Sequence, residues 1–348
     1  MIAIRRFRIP LLAVAAAALA PPAGAGTAFE YATEFGSEGS GPEQFFGPQG
    51  IAFDSQMRLW VSDAANCRMQ VFDDAGNHLF SFGTFGSTDG RFLQPHDVAF
   101  DSEDNAYICD RYNHRVQVFD DSGNYLRQWG SLGSGDGQFN EPWGITLDAS
   151  GFVYVTERDG NRIQKFTTNG DFVVGWGSEG PGPGEFVRPR GIAAFDGQIV
   201  VTGSTDDRIQ IFEGDGTYVS EFGGVHGEDP GQFHHPALVK RGVNGNAMHI
   251  YILCWHNHFP TKGGHNARIQ KFAFPDQYVT EFASSNGTGP GEFDHAQGLA
   301  FHPQTGALYI SDTKNHRIQV ILEVPVVAVD EPIRTESWSR VKGAYRGH

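Results

Sequence analysis

The 348-residue chain is 39% hydrophobic and 19% charged, with 28 Phe and 45 Gly. This composition excludes a disordered polymer and a coiled coil and points to short strands joined by many tight turns. Lys and Arg number 26 against 41 Asp and Glu, a net charge of −15, which repels phosphate backbones and argues against nucleic acid as a partner.

Residues 1–25 read as a secretory signal peptide. Arg5, Arg6 and Arg8 form a basic start, Ile9 to Ala20 is apolar, and Ala23-Gly24-Ala25 is a small-residue cleavage signal. The apolar run falls well short of the roughly 20 residues that span a bilayer. The expectation is export, to a periplasmic or extracellular location, with no transmembrane segment. Losing three arginines leaves 23 basic against 41 acidic residues, a net −18. Cys67, Cys109 and Cys254 are an odd set for an oxidising compartment, so at most one disulfide forms. The sequence leaves open whether Cys67 pairs with Cys109.

Next in chain order, Phe29 to Gly36 reads as an outer strand standing ahead of any complete inner set. Six copies of Arg-(apolar)-Gln-x-(apolar) follow, beginning at Arg68, Arg115, Arg162, Arg208, Arg268 and Arg317, at spacings of 47, 47, 46, 60 and 49 residues. Each copy lies in a unit of four predicted strands. In the second unit these are Asp97 to Asp101, Ala106 to Asp110, Arg115 to Asp120 and Asn124 to Gly130. A four-stranded sheet of this period buries both faces only when neighbours pack on each side, which predicts a β-propeller. Outer strands end at Phe82, Trp129, Trp176, Phe222 and Phe282, whereas the sixth unit stops after its third strand near Leu322. The fold class is therefore all-β: a six-bladed β-propeller over residues 26–323, its ring closed by the N-terminal strand completing the last blade. Residues 324–348, with Pro325 and Pro332 and no period, read as a C-terminal tail.

The strings Asp63-Ala-Ala-Asn66-Cys-Arg68-Met-Gln70-Val-Phe72, Asp110-Arg-Tyr-Asn113-His-Arg115-Val-Gln117-Val-Phe119 and Asp312-Thr-Lys-Asn315-His-Arg317-Ile-Gln319-Val resemble NHL repeats. So do the connectors Gly137-Gln-Phe139-Asn-Glu-Pro142-Trp-Gly144-Ile145 and Gly184-Glu-Phe186-Val-Arg-Pro189-Arg-Gly191-Ile192. The resemblance covers nearly all of the chain beyond residue 25 and implies the six-bladed fold. It leaves function open, because that family holds scaffolds, RNA binders and a few enzymes on one frame. The acids Asp63, Asp110, Glu157 and Asp312 close second strands, and Arg68, Arg115, Arg162 and Arg317 open third strands, so these pairs are expected to be framework. Gly203 and Cys254 replace the acid in blades four and five.

Loops from an outer strand into the next innermost strand share one face of a propeller with the loops between second and third strands. The residues entering each innermost strand at that face are Gln49, His96, Trp143, Arg190, Ala237 and Gln297. They vary while the framework around them does not, and five of them suit an anionic or sugar-like ligand at the channel mouth: Gln49, His96, Trp143, Arg190 and Gln297.

Blade five carries a longer loop on the same face, running from Cys254 through His256 and His258 to His265. His96, His256 and His258 are candidate metal ligands, with zinc as the candidate ion. The fold also resembles the peptidyl-hydroxyglycine amidating lyases, whose zinc the resemblance places on three Pro-His-x-(apolar) strings in alternate blades. Only Pro95-His96-Asp97-Val98 matches, and the alternate-blade positions hold Arg190 and Gln297. Propeller lactonases resemble the fold as well, but their calcium-holding carboxylate and Asn cluster has no counterpart among the mouth residues. The functional expectation is an exported binding or interaction module that takes a small polar ligand or a protein partner at the mouth. The alternative is a metal-dependent lyase or hydrolase using the mouth and the blade-five His loop.

Overall fold

The structure, a computed structural model, describes residues 27–242, 249–255, 267–285 and 287–325. Six four-stranded antiparallel sheets are arranged as the blades of a propeller. The innermost strands are Pro48–Phe53, Pro95–Phe100, Pro142–Leu147, Pro189–Phe195, Pro236–Gly242 and Ala296–Phe301. Blade two continues through Ala106–Asp110, Arg115–Phe119 and Tyr125–Trp129, within one or two residues of the predicted strands.

Ring closure follows the predicted route. Thr27–Phe35 pairs antiparallel with Arg317–Pro325, with Phe29 opposite Glu323 and Phe35 opposite Ile318. The last strand runs to Pro325, two residues beyond the boundary expected from the repeat. The closing strand also packs sideways: Phe29 lies edge-on to Tyr251 and Phe282 of blade five, and Phe35 contacts Phe45 and Phe72 of blade one. Each blade face is apolar because a neighbour covers it. Trp60, Met69 and Val71 of blade one, for example, share a core with Val98, Ile108 and Phe119 of blade two. Inner strands approach closely enough that a Cβ on Gly50 would sit 2.2 Å from the His96 carbonyl oxygen, which is why glycine recurs there.

The repeat signature is a clamp. Asp110 pairs with Arg115 across a hairpin at 2.8 Å, and the guanidinium also donates to the carbonyls of Ser87, Thr88 and Arg91 in the connector from blade one. Gln117 adds a bond to the Arg91 carbonyl and one to Asp110. The same pattern recurs with Asp63 and Arg68 at 2.7 Å, Glu157 and Arg162 at 2.5 Å, and Asp312 and Arg317 at 2.8 Å. Where the acid is missing, another carboxylate moves in: Asp206 meets Arg208 at 2.6 Å, and Glu281, from the outer strand, meets Arg268. Cys67, Cys109 and Cys254 are all free and buried, so no disulfide joins Cys67 to Cys109.

Candidate functional site

Three of the predicted mouth residues meet in one stack. His96, Trp143 and Arg190 enter the inner strands of blades two, three and four, and adjacent strands bring them together. The His96 ring lies 3.9 Å from the Trp143 ring at 44°, and the Arg190 guanidinium lies 4.7 Å from the same indole. The Trp143 carbonyl is 3.0 Å from Nδ1 of His96. A carbonyl only accepts, so Nδ1 carries the proton and Nε2 keeps a lone pair. That Nε2 is enclosed and makes no hydrogen bond within the described chain, and Oε1 of Gln49 in the neighbouring blade is in the same state.

Two further arginines complete the cluster. Arg111 and Arg158 follow the framework acids Asp110 and Glu157, so each stands at the head of a loop between second and third strands. Their guanidiniums lie 4.5 and 5.3 Å from the Trp143 ring. Glu141, from the connector into blade three, bridges both at 2.7 and 2.8 Å. Gln94 accepts from Arg111, and Asp159 lies 3.1 Å from Arg158 and 3.8 Å from Arg188. Sequence reasoning missed Arg111 and Arg158, although a signal existed. The residue after the acid varies as Ala64, Arg111, Arg158, Ser204 and Thr313, and it falls beside the mouth.

The electrostatics follow from this crowding. Burial first, then the charges of Arg111 and Arg190, hold His96 well below the usual imidazole range, so it is neutral. Arg190 is pushed down to about 9 by burial first, then by Arg158 and Arg111. A guanidinium stays protonated nonetheless. Arg111, Arg158 and Arg188 thus pair with the bridging carboxylates Glu141 and Asp159 on a protein of net −15.

The predicted mouth residues are largely enclosed among the described residues. Gln49, His96, Trp143 and Arg190 are each no more than 8% exposed, while Gln297 is half-buried and Ala237 is buried. Arg188 remains half-exposed at the rim, and the Tyr112 ring is stacked by Arg111 at 4.4 Å. On the opposite face a hollow of about 750 Å³ is lined by Asp101, Asp148, Asp196, Arg127 and Arg241 among others.

Of the candidate metal ligands, His96 is in the cluster just described, whereas His256 and His258 lie outside the described residues. Among the described residues no three His, Cys, Asp or Glu are placed to hold a metal ion together. His96 therefore has no complete ligand set around it there, and no chemistry is routed through zinc.

Fold and cluster together define a six-bladed propeller with a cationic, aromatic mouth on an acidic body. The NHL repeat family model matches residues 92–119, 139–166 and 293–321, so the chain contains NHL repeats at these three segments. No curated protein matches it in sequence. Among solved structures it is similar to a streptogramin B lyase, with 16% identity, a TM-score of 0.56, and coverage of 85% of this chain and 98% of that one. The virginiamycin B lyase of Staphylococcus aureus gives 14% identity and a TM-score of 0.54 over 85% of this chain and 99% of that one. A gluconolactonase of Xanthomonas campestris gives 12% and 0.57 over 84% and 98%. At these identities the likeness is one of fold. No helix among the described residues is long and apolar enough to cross a membrane.

Proposed function

We propose that the protein is an exported interaction module whose mouth face docks an anionic group, a carboxylate presented by an acidic protein partner or by a small acid. The observation that carries this is the convergence of the Arg111, Arg158 and Arg190 guanidiniums on the Trp143 ring with Glu141 shared between two of them. An incoming carboxylate gains bidentate bonds from a pre-oriented guanidinium. Arg188, half-exposed at the rim, is where a protruding acidic side chain of a partner first meets the cluster.

The test is titration calorimetry with citrate and with a Glu-rich peptide, on the wild type and on Arg158→Ala. The expected result is binding that weakens at least about tenfold in the variant and falls steeply with added salt. The peptide binding more tightly than citrate points to the partner, and the reverse points to a small acid. Glu141→Gln removes the competing internal carboxylate and is expected to tighten binding. Equal affinity in wild type and both variants sinks the proposal.

The second reading, a metal-dependent lyase or hydrolase, is favoured by one observation: His96 presents a neutral imidazole with an unshared lone pair on Nε2. Elemental analysis of the purified full chain tests it. Stoichiometric zinc that is lost in His96→Ala supports this reading, and metal-free protein removes it.

A further inference from the structure

We infer that the face opposite the mouth carries a second, separate site for a small apolar carboxylic acid, a medium-chain or aryl-substituted one, with Arg241 holding the carboxylate. The register of the inner strands sets Arg241 apart. Phe53, Phe100, Leu147, Ala194, Arg241 and Phe301 occupy one position in the six blades, each paired with the first or second residue of its second strand. Five blades place an apolar side chain at this level of the ring, and blade five places a guanidinium. The framework arginines are engaged by carboxylates and connector carbonyls. Arg241 is exposed, and its side chain makes no ion pair or hydrogen bond among the described residues. The hairpin that it leads into, residues 243–248, holds no Asp or Glu.

Two hollows meet at Arg241. The larger, of about 750 Å³, lies over blades two to four and is lined by Asp101, Glu103, Asp148 and Asp196. The smaller, of about 310 Å³, lies over blades one and six, where Ile51, Phe53, Leu299, Phe301 and Pro303 line it and no carboxylate does. Its aromatic walls are braced from behind. Phe53 stands edge-on to Tyr309 at 4.9 Å, and the Phe301 ring lies 4.5 Å from that of Tyr251. Lys240 also lines the smaller hollow, but its ammonium lies 3.5 Å from Asp97. Arg127, the other cation of the larger hollow, donates to the Thr168 carbonyl and the Tyr107 hydroxyl. Arg241 is therefore the cation left to meet a ligand.

This division orients an amphipathic anion. The planar guanidinium offers two parallel N–H groups to a carboxylate. Asp101 and Asp148 are held in their own turns, accepting from the Asn105 and Phe152 N–H groups and from the Tyr107 and Tyr154 hydroxyls. They keep their charge, and with Glu103 and Asp196 they turn an anion away from the larger hollow. The apolar body of the ligand then lies over blades one and six, where burial against Phe53 and Phe301 favours it.

The experiment is titration calorimetry of the full chain with octanoate, phenylbutyrate, acetate and octylamine, for wild type, Arg241→Leu, Pro303→Glu and Arg158→Ala. Octanoate and phenylbutyrate are expected to bind at one site more than about tenfold more tightly than acetate, because their methylene and ring carbons leave water. Arg241→Leu should weaken both by more than about tenfold, the loss of a charge-assisted bidentate contact. Pro303→Glu, which adds a carboxylate to the smaller hollow, should weaken them as well. Arg158→Ala should leave them unchanged, which separates this site from the mouth. Arg241 is exposed and blade three carries Leu147 at the same position, so Arg241→Leu is expected to melt as the wild type does. Four results overturn the inference: no binding of octanoate to the wild type, wild-type affinity in Arg241→Leu, loss of binding in Arg158→Ala, or octylamine binding as tightly as octanoate.

Discussion

Asp97 of blade two and Lys240 of blade five meet across the propeller channel, Nζ lying 3.5 Å from Oδ1. In a six-bladed ring these blades are diametrically opposed, so one ion pair spans the channel beneath the mouth cluster. Asp97 stands where four other blades carry the glycines Gly50, Gly144, Gly191 and Gly298, and Lys240 stands where four of them carry Ala and one carries Thr146. Both departures from the repeat are thus one strut. Asp97 is 1% exposed and also accepts from the Ile145 and Val98 N–H groups.

Lys240→Met should cost about 2–3 kcal/mol, since it strands a buried carboxylate. Asp97→Gly combined with Lys240→Ala, which restores the residues of the other blades, should cost less than Lys240→Met alone. Urea unfolding of Asp97→Gly, Lys240→Ala and the pair forms a cycle, and a coupling below about 0.5 kcal/mol would show that the two charges act independently.

Closure makes a second prediction. Deleting Phe29 to Gly36 uncovers the edge of Arg317–Pro325 and removes Phe29, Tyr31 and Phe35 from partly buried contacts with blades one and five. At roughly 1.5–3 kcal/mol for each large apolar side chain, the melting temperature should fall by about 10 °C or more, with aggregation through the open edge. A truncated chain that stays monomeric and melts as the full one does would refute the pairing of the two ends.

Framework and mouth arginines should separate in their effects. Arg115→Ala strands Asp110 and frees three connector carbonyls, for a loss of about 3–5 kcal/mol. Arg188→Ala, at the half-exposed rim, should stay within about 0.5 kcal/mol. Trp143 belongs with the framework in this respect. It is 6% exposed beneath three guanidiniums, so Trp143→Ala should cost about 3–5 kcal/mol. Chemical denaturation curves decide, and similar losses from Arg115→Ala and Arg188→Ala would contradict the division.

Acid sensitivity is the fourth prediction. Burial first, then Lys314, lowers His295 to about 4, and burial holds His96 well below 6.5. Both are neutral in the fold but charge near pH 6.5 once unfolded, so the unfolded chain binds more protons across that window. Stability is full above about pH 6.5 and is lost as pH falls from there toward about 4. Asp110, Glu157 and Asp312 are raised by burial above their ordinary range and have the opposite slope, which blunts the loss at the acid end. Thermal melts between pH 7 and pH 4.5 should show His295→Asn with a shallower fall than the wild type. Parallel curves would dismiss His295 as a contributor. Asparagine tolerates the positive φ of 62° at this position.

Much of the architecture was legible because it is written six times. The Arg-x-Gln period places third strands, the surplus strand at Phe29 and the shortfall after Leu322 imply closure, and the Asp110 to Arg115 pairing follows from hairpin geometry. Less was legible where a repeat departs from itself. Gly203 and Cys254 removed an expected acid, and nothing local indicated that Asp206, three residues on, or Glu281, across a strand pair, would take its place. His96, Trp143 and Arg190 were identifiable one by one from their positions. Their mutual stacking was not, because it depends on the distance between adjacent inner strands, which close approach at glycine sets.

By itself, then, the sequence determined the repeat, the blade number, the partner of each framework arginine in four blades, and the face on which variable residues collect. Those features depend on strand period and hairpin register, which are local. Only the tertiary structure decided that His96, Trp143 and Arg190 stack, that Arg111 and Arg158 join them through Glu141, that Lys240 crosses to Asp97, and that His226 folds onto His234. Each of these is a contact between chain segments whose separation in space is fixed by how six sheets close around one axis, and no periodicity along the chain encodes that distance.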